Sequence, residues 1–175
     1  MTDISKQFQT PADVADYMVK MLPVNAVSIL EPTPGEGNIL KALSWHNYNN
    51  VTAPKDYFLL DPDIIFEAVI LNPPFSDKSA NLENAPEELK LKLKGMKTGY
   101  YFLFEAMRRA DSVIALMCWF AISDSDVRLR ALKAFGLKSV TYLPRKTFNY
   151  ARVQTVIIEL KKGYTGPTEF KTFNL

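Results

Sequence analysis

The apolar run 68–71, Ala-Val-Ile-Leu, stops abruptly at Asn72-Pro73-Pro74-Phe75. Proline has no N–H and a fixed φ, so two in a row cannot continue a hydrogen-bonded ladder. The run therefore reads as a strand whose carboxyl end carries Asn72, and open α/β sheets keep their ligands at that edge. A residue that precedes proline is held extended, which fixes the carbonyls of Asn72 and Pro73 with no proline donor beside them. The Asn72 side-chain oxygen and the Pro73 main-chain oxygen can accept both hydrogens of one amino group, and Phe75 offers a face for a planar ring. That arrangement suits chemistry on an aromatic or amide nitrogen. Asn and Pro are also ordinary turn formers, so the four residues taken alone are equally a β-turn.

The rest of the chain alternates between strands and helices. Thr10 reads as an N-cap, Pro11 as the first helical position and Asp13 as a first-turn acid, with Val14, Tyr17, Met18 and Met21 on one face. A short buried strand over 26–30 closes in Glu31-Pro32-Thr33-Pro34-Gly35-Glu36-Gly37-Asn38, and a helix over 39–45 follows. The interval 46–55 is polar and aperiodic, while 56–60 and 66–71 read as strands. The stretch 76–95 reads as a charged loop. Helices are expected over 97–109 and 124–135, the second closed by Gly136, with a long strand over 112–122 between them. Strands over 138–143 and 154–160 complete the pattern, and the tail from Gly163 shows no clear element. This predicts one three-layer α/β domain over 1–175 whose last strand runs antiparallel.

Composition narrows the chemistry. A single His46 and a single Cys118 argue against a structural zinc site or a Cys/His nucleophile, so no metal is expected. No apolar run approaches the roughly 20 residues that span a bilayer, and the polar start Met-Thr-Asp-Ile-Ser-Lys-Gln is unlike a secretory signal. A cytoplasmic chain is expected. A net charge of +2 permits nucleic-acid binding without the strongly basic footprint of a dedicated binder.

A strand that ends in Glu31, a turn with Gly35 and Gly37, and then a helix form a nucleotide-cofactor loop. A carboxylate at the strand end suits a cationic amine, which favours S-adenosylmethionine over a pyrophosphate. Together this loop and Asn72-Pro73-Pro74-Phe75 resemble the cofactor and catalytic motifs of amino-directed DNA methyltransferases. Phe8-Gln9-Thr10-Pro11 is similar to the cofactor motif of the adenine-N6 subclass in which that motif comes first. Pro144-Arg145-Lys146-Thr147-Phe148-Asn149-Tyr150, followed by Val153 and the strand from Thr155, resembles the base-stacking loop. Phe8, Phe75 and Phe148 are individually ordinary core aromatics. The order and spacing of the four motifs, over 8–160, carry the resemblance.

The resemblance implies a Rossmann-like methyltransferase sheet and transfer of a methyl group from S-adenosylmethionine to the N6 amino group of adenine in DNA. Thr10 and Pro11 would contact the methionine part of the cofactor, and Glu31, Pro32, Gly35 and Gly37 would line the same pocket. Asp56 would read the cofactor's adenine amino group with Tyr57 beside the ring. Asn72, Pro73, Pro74 and Phe75 would form the catalytic turn, with Phe75 and Phe148 sandwiching a base flipped from the duplex. Two departures from the family pattern accompany this. The interval from Gly37 to Asn72 is short by a strand–helix unit, and Asn49, Asn50 and Thr52 stand where an acid would grip the ribose, a loss of about two orders of magnitude in affinity. No target-recognition domain is expected after the last strand, so DNA specificity would be low, supplied by a separate subunit, or carried by the loop 76–95. The alternatives are a degenerate methyltransferase fold that serves as a binding or regulatory subunit, and amino methylation of RNA or of a protein glutamine.

Overall fold

Successive residues of the strand over 66–71 serve two different cores. In the computed structural model, which describes residues 9–93, 97–148 and 153–173, Ala68 and Ile70 pack with one apolar cluster and Val69 and Leu71 with another. This is the two-residue period of a strand buried on both faces. The strands are β1 (Ile29–Leu30), β2 (Val51–Thr52), β3 (Phe66–Leu71), β4 (Ala110–Cys118), β5 (Leu137–Tyr142), β6 (Thr155–Lys161) and β7 (Glu169–Thr172). They form one sheet in the order β2-β1-β3-β4-β6-β5-β7. β1 to β4 run parallel, and β6 is antiparallel to both β4 and β5. The expected antiparallel strand is therefore β6, inserted between β4 and β5 rather than at the edge.

The helices are α1 (Ala12–Lys20), α2 (Asn38–Trp45), α3 (Glu87–Lys92), α4 (Lys97–Arg109), α5 (Phe120–Ser123) and α6 (Asp126–Phe135). α1 and α2 cover one face of the sheet, burying Val14, Met18, Ile39 and Leu43 with Ile70 and Ile114. α4 and α6 cover the other, where Phe102, Leu103 and Leu132 join Val69 and Val113. α6 starts at Ser125, whose Oγ accepts from the Arg128 N–H at 3.3 Å. It stops at Gly136, where φ is +132° and an added Cβ would meet the Lys161 carbonyl oxygen at 1.9 Å. Only glycine fits that C-terminus.

Several local readings change. The stretch 56–60 is not a strand. Asp56 caps a single 3₁₀ turn, Tyr57–Leu59, by accepting from the Phe58 N–H at 2.9 Å. Its apolar side chains pack on α4 instead, with Phe58 stacked on Tyr101 and Tyr57 edge-on to Phe102. The strand before it, β2, lies in the interval that reads as featureless. It pairs directly with β1, and 53–65 contains no further strand or α-helix, so the shortening read from the sequence is a missing strand–helix unit. The long strand 112–122 ends at Cys118, and α5 follows because Ile122 N–H returns to the Trp119 carbonyl at 3.0 Å. The loop 76–95 holds α3, and the tail adds β7 at the sheet edge. Pro11, not Thr10, occupies the N-cap of α1, because the Thr10 hydroxyl is engaged elsewhere.

Candidate active site

The carboxyl ends of β1, β3 and β4 open into one cavity of about 730 Å³, within the size range of small-molecule sites. Its walls bring together residues far apart in sequence: Gln9 and Thr10, much of 32–39, the segment 54–57, most of 72–81, and single residues from α4, the end of β4 and the start of β6. Parallel strands put their connecting loops at this edge, so distant motifs converge without any long-range sequence signal.

Asn72 leaves β3 and enters a web of threonines. Its Nδ2 donates to Thr10 Oγ1 at 3.1 Å, and its main-chain oxygen accepts from Thr33 Oγ1 at 3.1 Å. The first bond orients the amide, and the second ties the Asn-Pro-Pro turn to the loop after β1. Pro73, Pro74 and Phe75 complete this wall. Behind it α4 approaches closely, and a Cβ at Gly99 would lie 3.4 Å from Phe75 Cδ1.

Glu31 is fully buried. Its Oε1 accepts from Thr33 N–H at 3.0 Å and lies 3.4 Å from Thr33 Oγ1. Among the described residues its Oε2 has no hydrogen-bond partner. Burial away from water pushes its pKa up to about 8, against which the two Thr33 donors pull only weakly. Glu31 is not on the cavity wall, whereas its neighbours Pro32 and Thr33 are. The glycine turn next to it has φ +51° at Gly35 and +78° at Gly37. Gln9 lies across this turn. Its Oε1 accepts from Glu36 N–H at 3.0 Å, and a Cβ at Gly35 would sit 2.7 Å from that oxygen.

Asp56 and Tyr57 form the opposite end. The Tyr57 hydroxyl donates to Glu105 Oε2 at 2.9 Å and accepts from the buried Arg109 Nε at 3.0 Å. Burial, with Glu105 beside it, raises the phenol's pKa.

Of the residues expected from sequence, Thr10, Pro32, Gly35, Asp56, Tyr57, Asn72, Pro73, Pro74 and Phe75 lie on the cavity wall. Pro11, Glu31, Gly37 and Phe148 do not. Gly37 sits one residue ahead of α2, at its N-cap. The expected sandwich of Phe75 and Phe148 is not assembled. Phe148 is buried with Leu143 and Phe173 in the core on the α1 face, while Val153 and Thr155 reach the cavity from the far end of the same loop. An apolar ring that follows a 3₁₀ turn finds more apolar surface in that core than at a wet rim. Phe8, Asn149 and Tyr150 lie outside the described residues. Sequence reading missed Phe102, Cys118, Lys55, Lys78 and Asn81 on the wall. Phe102 was legible in principle, because it lies one helical turn beyond Gly99 on the same face of α4. Burial pushes the Cys118 thiol up to about 12, which makes it an inert wall residue.

No family model and no curated protein matches the sequence. Solved structures do match the fold. The methyltransferase subunit of a type I restriction-modification system from Streptococcus thermophilus aligns with a TM-score of 0.69 at 17% identity, over 95% of this chain and 47% of that one. A protein assigned as the modification subunit of a type I restriction enzyme from Vibrio vulnificus gives 0.66 at 18% identity, over 99% and 48%. A Listeria monocytogenes protein assigned as a class I S-adenosylmethionine-dependent methyltransferase gives 0.67 at 18%, over 100% and 68%. The chain has a methyltransferase fold. It spans about half the length of the two restriction-system subunits. Within this methyltransferase fold, no group of three or more His, Cys, Asp or Glu among the described residues could hold a metal. No described helix is long and apolar enough to cross a membrane.

Proposed function

We propose that the chain is the catalytic core of an S-adenosylmethionine-dependent methyltransferase that modifies the N6 amino group of adenine in DNA. The observation that carries this reading is Asn72, its side-chain amide oriented by Thr10 and its main-chain oxygen tied to the glycine loop through Thr33, on the wall of a cavity that the same loop lines. The donor set suits the cofactor. Glu31 lies directly behind the wall residues Pro32 and Thr33, and its unpartnered Oε2 would suit a cationic amine that reached past them. A glycine turn next to it lets the main chain line the cavity, with the Glu36 N–H covered by Gln9, and Asp56 accepts a hydrogen bond from the Phe58 N–H on the same wall.

When bound, S-adenosylmethionine supplies an electrophilic methyl group. The chain supplies position. Asn72 and Pro73 present carbonyl oxygens to the two hydrogens of an amino group, which favours a nitrogen whose lone pair points away from them. Phe75 offers a stacking face for the base. Thr10 keeps the Asn72 amide from rotating. Bound base must come from single-stranded or flipped nucleotide, since the amino group inside a duplex cannot reach a pocket of this kind. That two proteins of the same fold are subunits of type I restriction systems favours DNA as the substrate and a further subunit beside this chain.

One observation favours a second reading. β2 leads through Ala53-Pro54-Lys55 without an acid before Asp56, so the ribose end lacks its expected carboxylate. A non-catalytic binding subunit accounts for that. Titration calorimetry with S-adenosylmethionine separates the two. Heat of binding, together with transfer of labelled methyl groups to DNA in preference to RNA or protein, supports the enzyme. Absence of binding, with DNA or partner affinity retained, supports the binding subunit.

A further inference from the structure

Asp56 is held by a segment that the sequence reads as a charged loop. Its Oδ1 accepts from Phe58 N–H at 2.9 Å. Its Oδ2 accepts from Asn84 Nδ2 at 2.9 Å and from Asn81 Nδ2 at 3.4 Å. Both asparagines lie in the strap 76–86, between the Asn-Pro-Pro turn and α3. The strap is braced by its own bonds. Ser79 Oγ donates to the Ser76 carbonyl at 2.9 Å, Glu83 N–H donates to Asn81 Oδ1 at 3.1 Å, and Ala85 is buried beneath it. Asn81 reaches the cavity wall beside Asp56, whereas Asn84 does not.

A carboxylate offers about four lone-pair sites. Phe58, Asn81 and Asn84 fill three of them, which leaves about one for a ligand. The Asn81 amide nitrogen carries two hydrogens and spends one on Asp56, so the other remains for the cavity. The wall thus presents an acceptor and a donor side by side. An adenine edge is the complement, an amino group that donates next to a ring nitrogen that accepts. A hypoxanthine edge reverses both, so like would meet like.

We propose that Asn81 is a specificity-determining residue which, with Asp56, selects an adenine ring at this end of the cavity. The proposal rests on the functional reading above. Asn84 is a positioning residue that fixes the Asp56 carboxylate from behind the wall.

The test is calorimetric binding of S-adenosylhomocysteine and of S-inosylhomocysteine, which differ only at that ring edge. The wild-type chain is expected to prefer the adenosyl ligand by about tenfold. Asn81→Ala is expected to cut that preference about fivefold, the worth of one exposed hydrogen bond. Asn81→Asp keeps the shape but swaps the donor for an acceptor, and is expected to cut it further. Asn81 is exposed and its bonds are local to the strap, so Asn81→Ala should melt close to wild type, whereas Asn81→Asp, which sets a carboxylate against Asp56, should melt somewhat lower. An unchanged preference in both variants, with wild-type binding intact, overturns the role of Asn81 and leaves the functional reading standing. A wild-type chain that binds neither ligand overturns both.

Discussion

Replacing Glu31 by Gln isolates the buried carboxylate behind the cofactor loop. The ordinary glutamate value is 4.5, and burial raises it to about 8 in the folded chain. Between those limits the folded state holds a proton that the unfolded state has released. Stability contributed by this group is therefore full below pH 4.5, falls as pH rises, and is lost once pH passes about 8. A gap of about 3.5 pH units at about 1.4 kcal/mol per unit bounds the effect at about 5 kcal/mol. That is a large fraction of a typical domain's stability. Urea unfolding from pH 5 to 9 should show the wild-type chain losing stability with pH and Glu31→Gln losing much less. The mutant should be the more stable of the two at pH 9. A cationic amine beside Oε2 would pull the carboxyl's pKa back down. Binding of S-adenosylhomocysteine near pH 7 should then release close to one proton, read as a dependence of calorimetric heat on buffer ionisation enthalpy. Parallel pH–stability curves for the two proteins would refute the reasoning, because they would mean Glu31 is solvated or already paired.

If the proposed function holds, Asn72→Ala should lower methyl transfer about a hundredfold or more, because it removes the acceptor assigned there to the reacting amino group. It should cost only about 1 kcal/mol of stability, the worth of the Thr10 bond, as read by thermal melting. Gln9→Ala frees the Glu36 N–H, so S-adenosylhomocysteine should bind up to about fivefold tighter by calorimetry. Weaker binding would mean that Gln9 is a ligand contact rather than a cover. Gly136→Ala forces a Cβ onto the Lys161 carbonyl at positive φ and should destabilise the chain by about 3 kcal/mol in urea titrations.

Much of this architecture can be read from residue order because its determinants are local. Proline pairs, glycine turns and helical periodicity mark α1, α2, β3, α4 and α6 to within a residue or two. What stayed hidden depends on partners far away in sequence. β2 is two residues long and exists because its main chain pairs with β1, so it leaves no side-chain pattern. The apolar run Tyr57-Phe58-Leu59-Leu60 looks like a strand, but its rings are spent on α4 and its first turn on the Asp56 cap. The candidate site follows the same division. Thr10, Gly35 and Asn72 announce themselves through motif order, whereas Asn81 and Phe102 reach the wall through folding of the strap and of α4. Phe148 shows the converse. Its place in a motif suggests a rim residue, yet burial with Leu143 and Phe173 draws it into the core.

A fixed amide at the end of β3 that grips an adenine amino group for methylation leaves its product in the DNA. The decisive assay is mass spectrometry of nucleosides from DNA incubated with the chain and S-adenosylmethionine. N6-methyl-2′-deoxyadenosine is expected with the wild-type chain, and a loss of about a hundredfold or more with Asn72→Ala. Equal product from both, or a methyl group on any other atom, would contradict it.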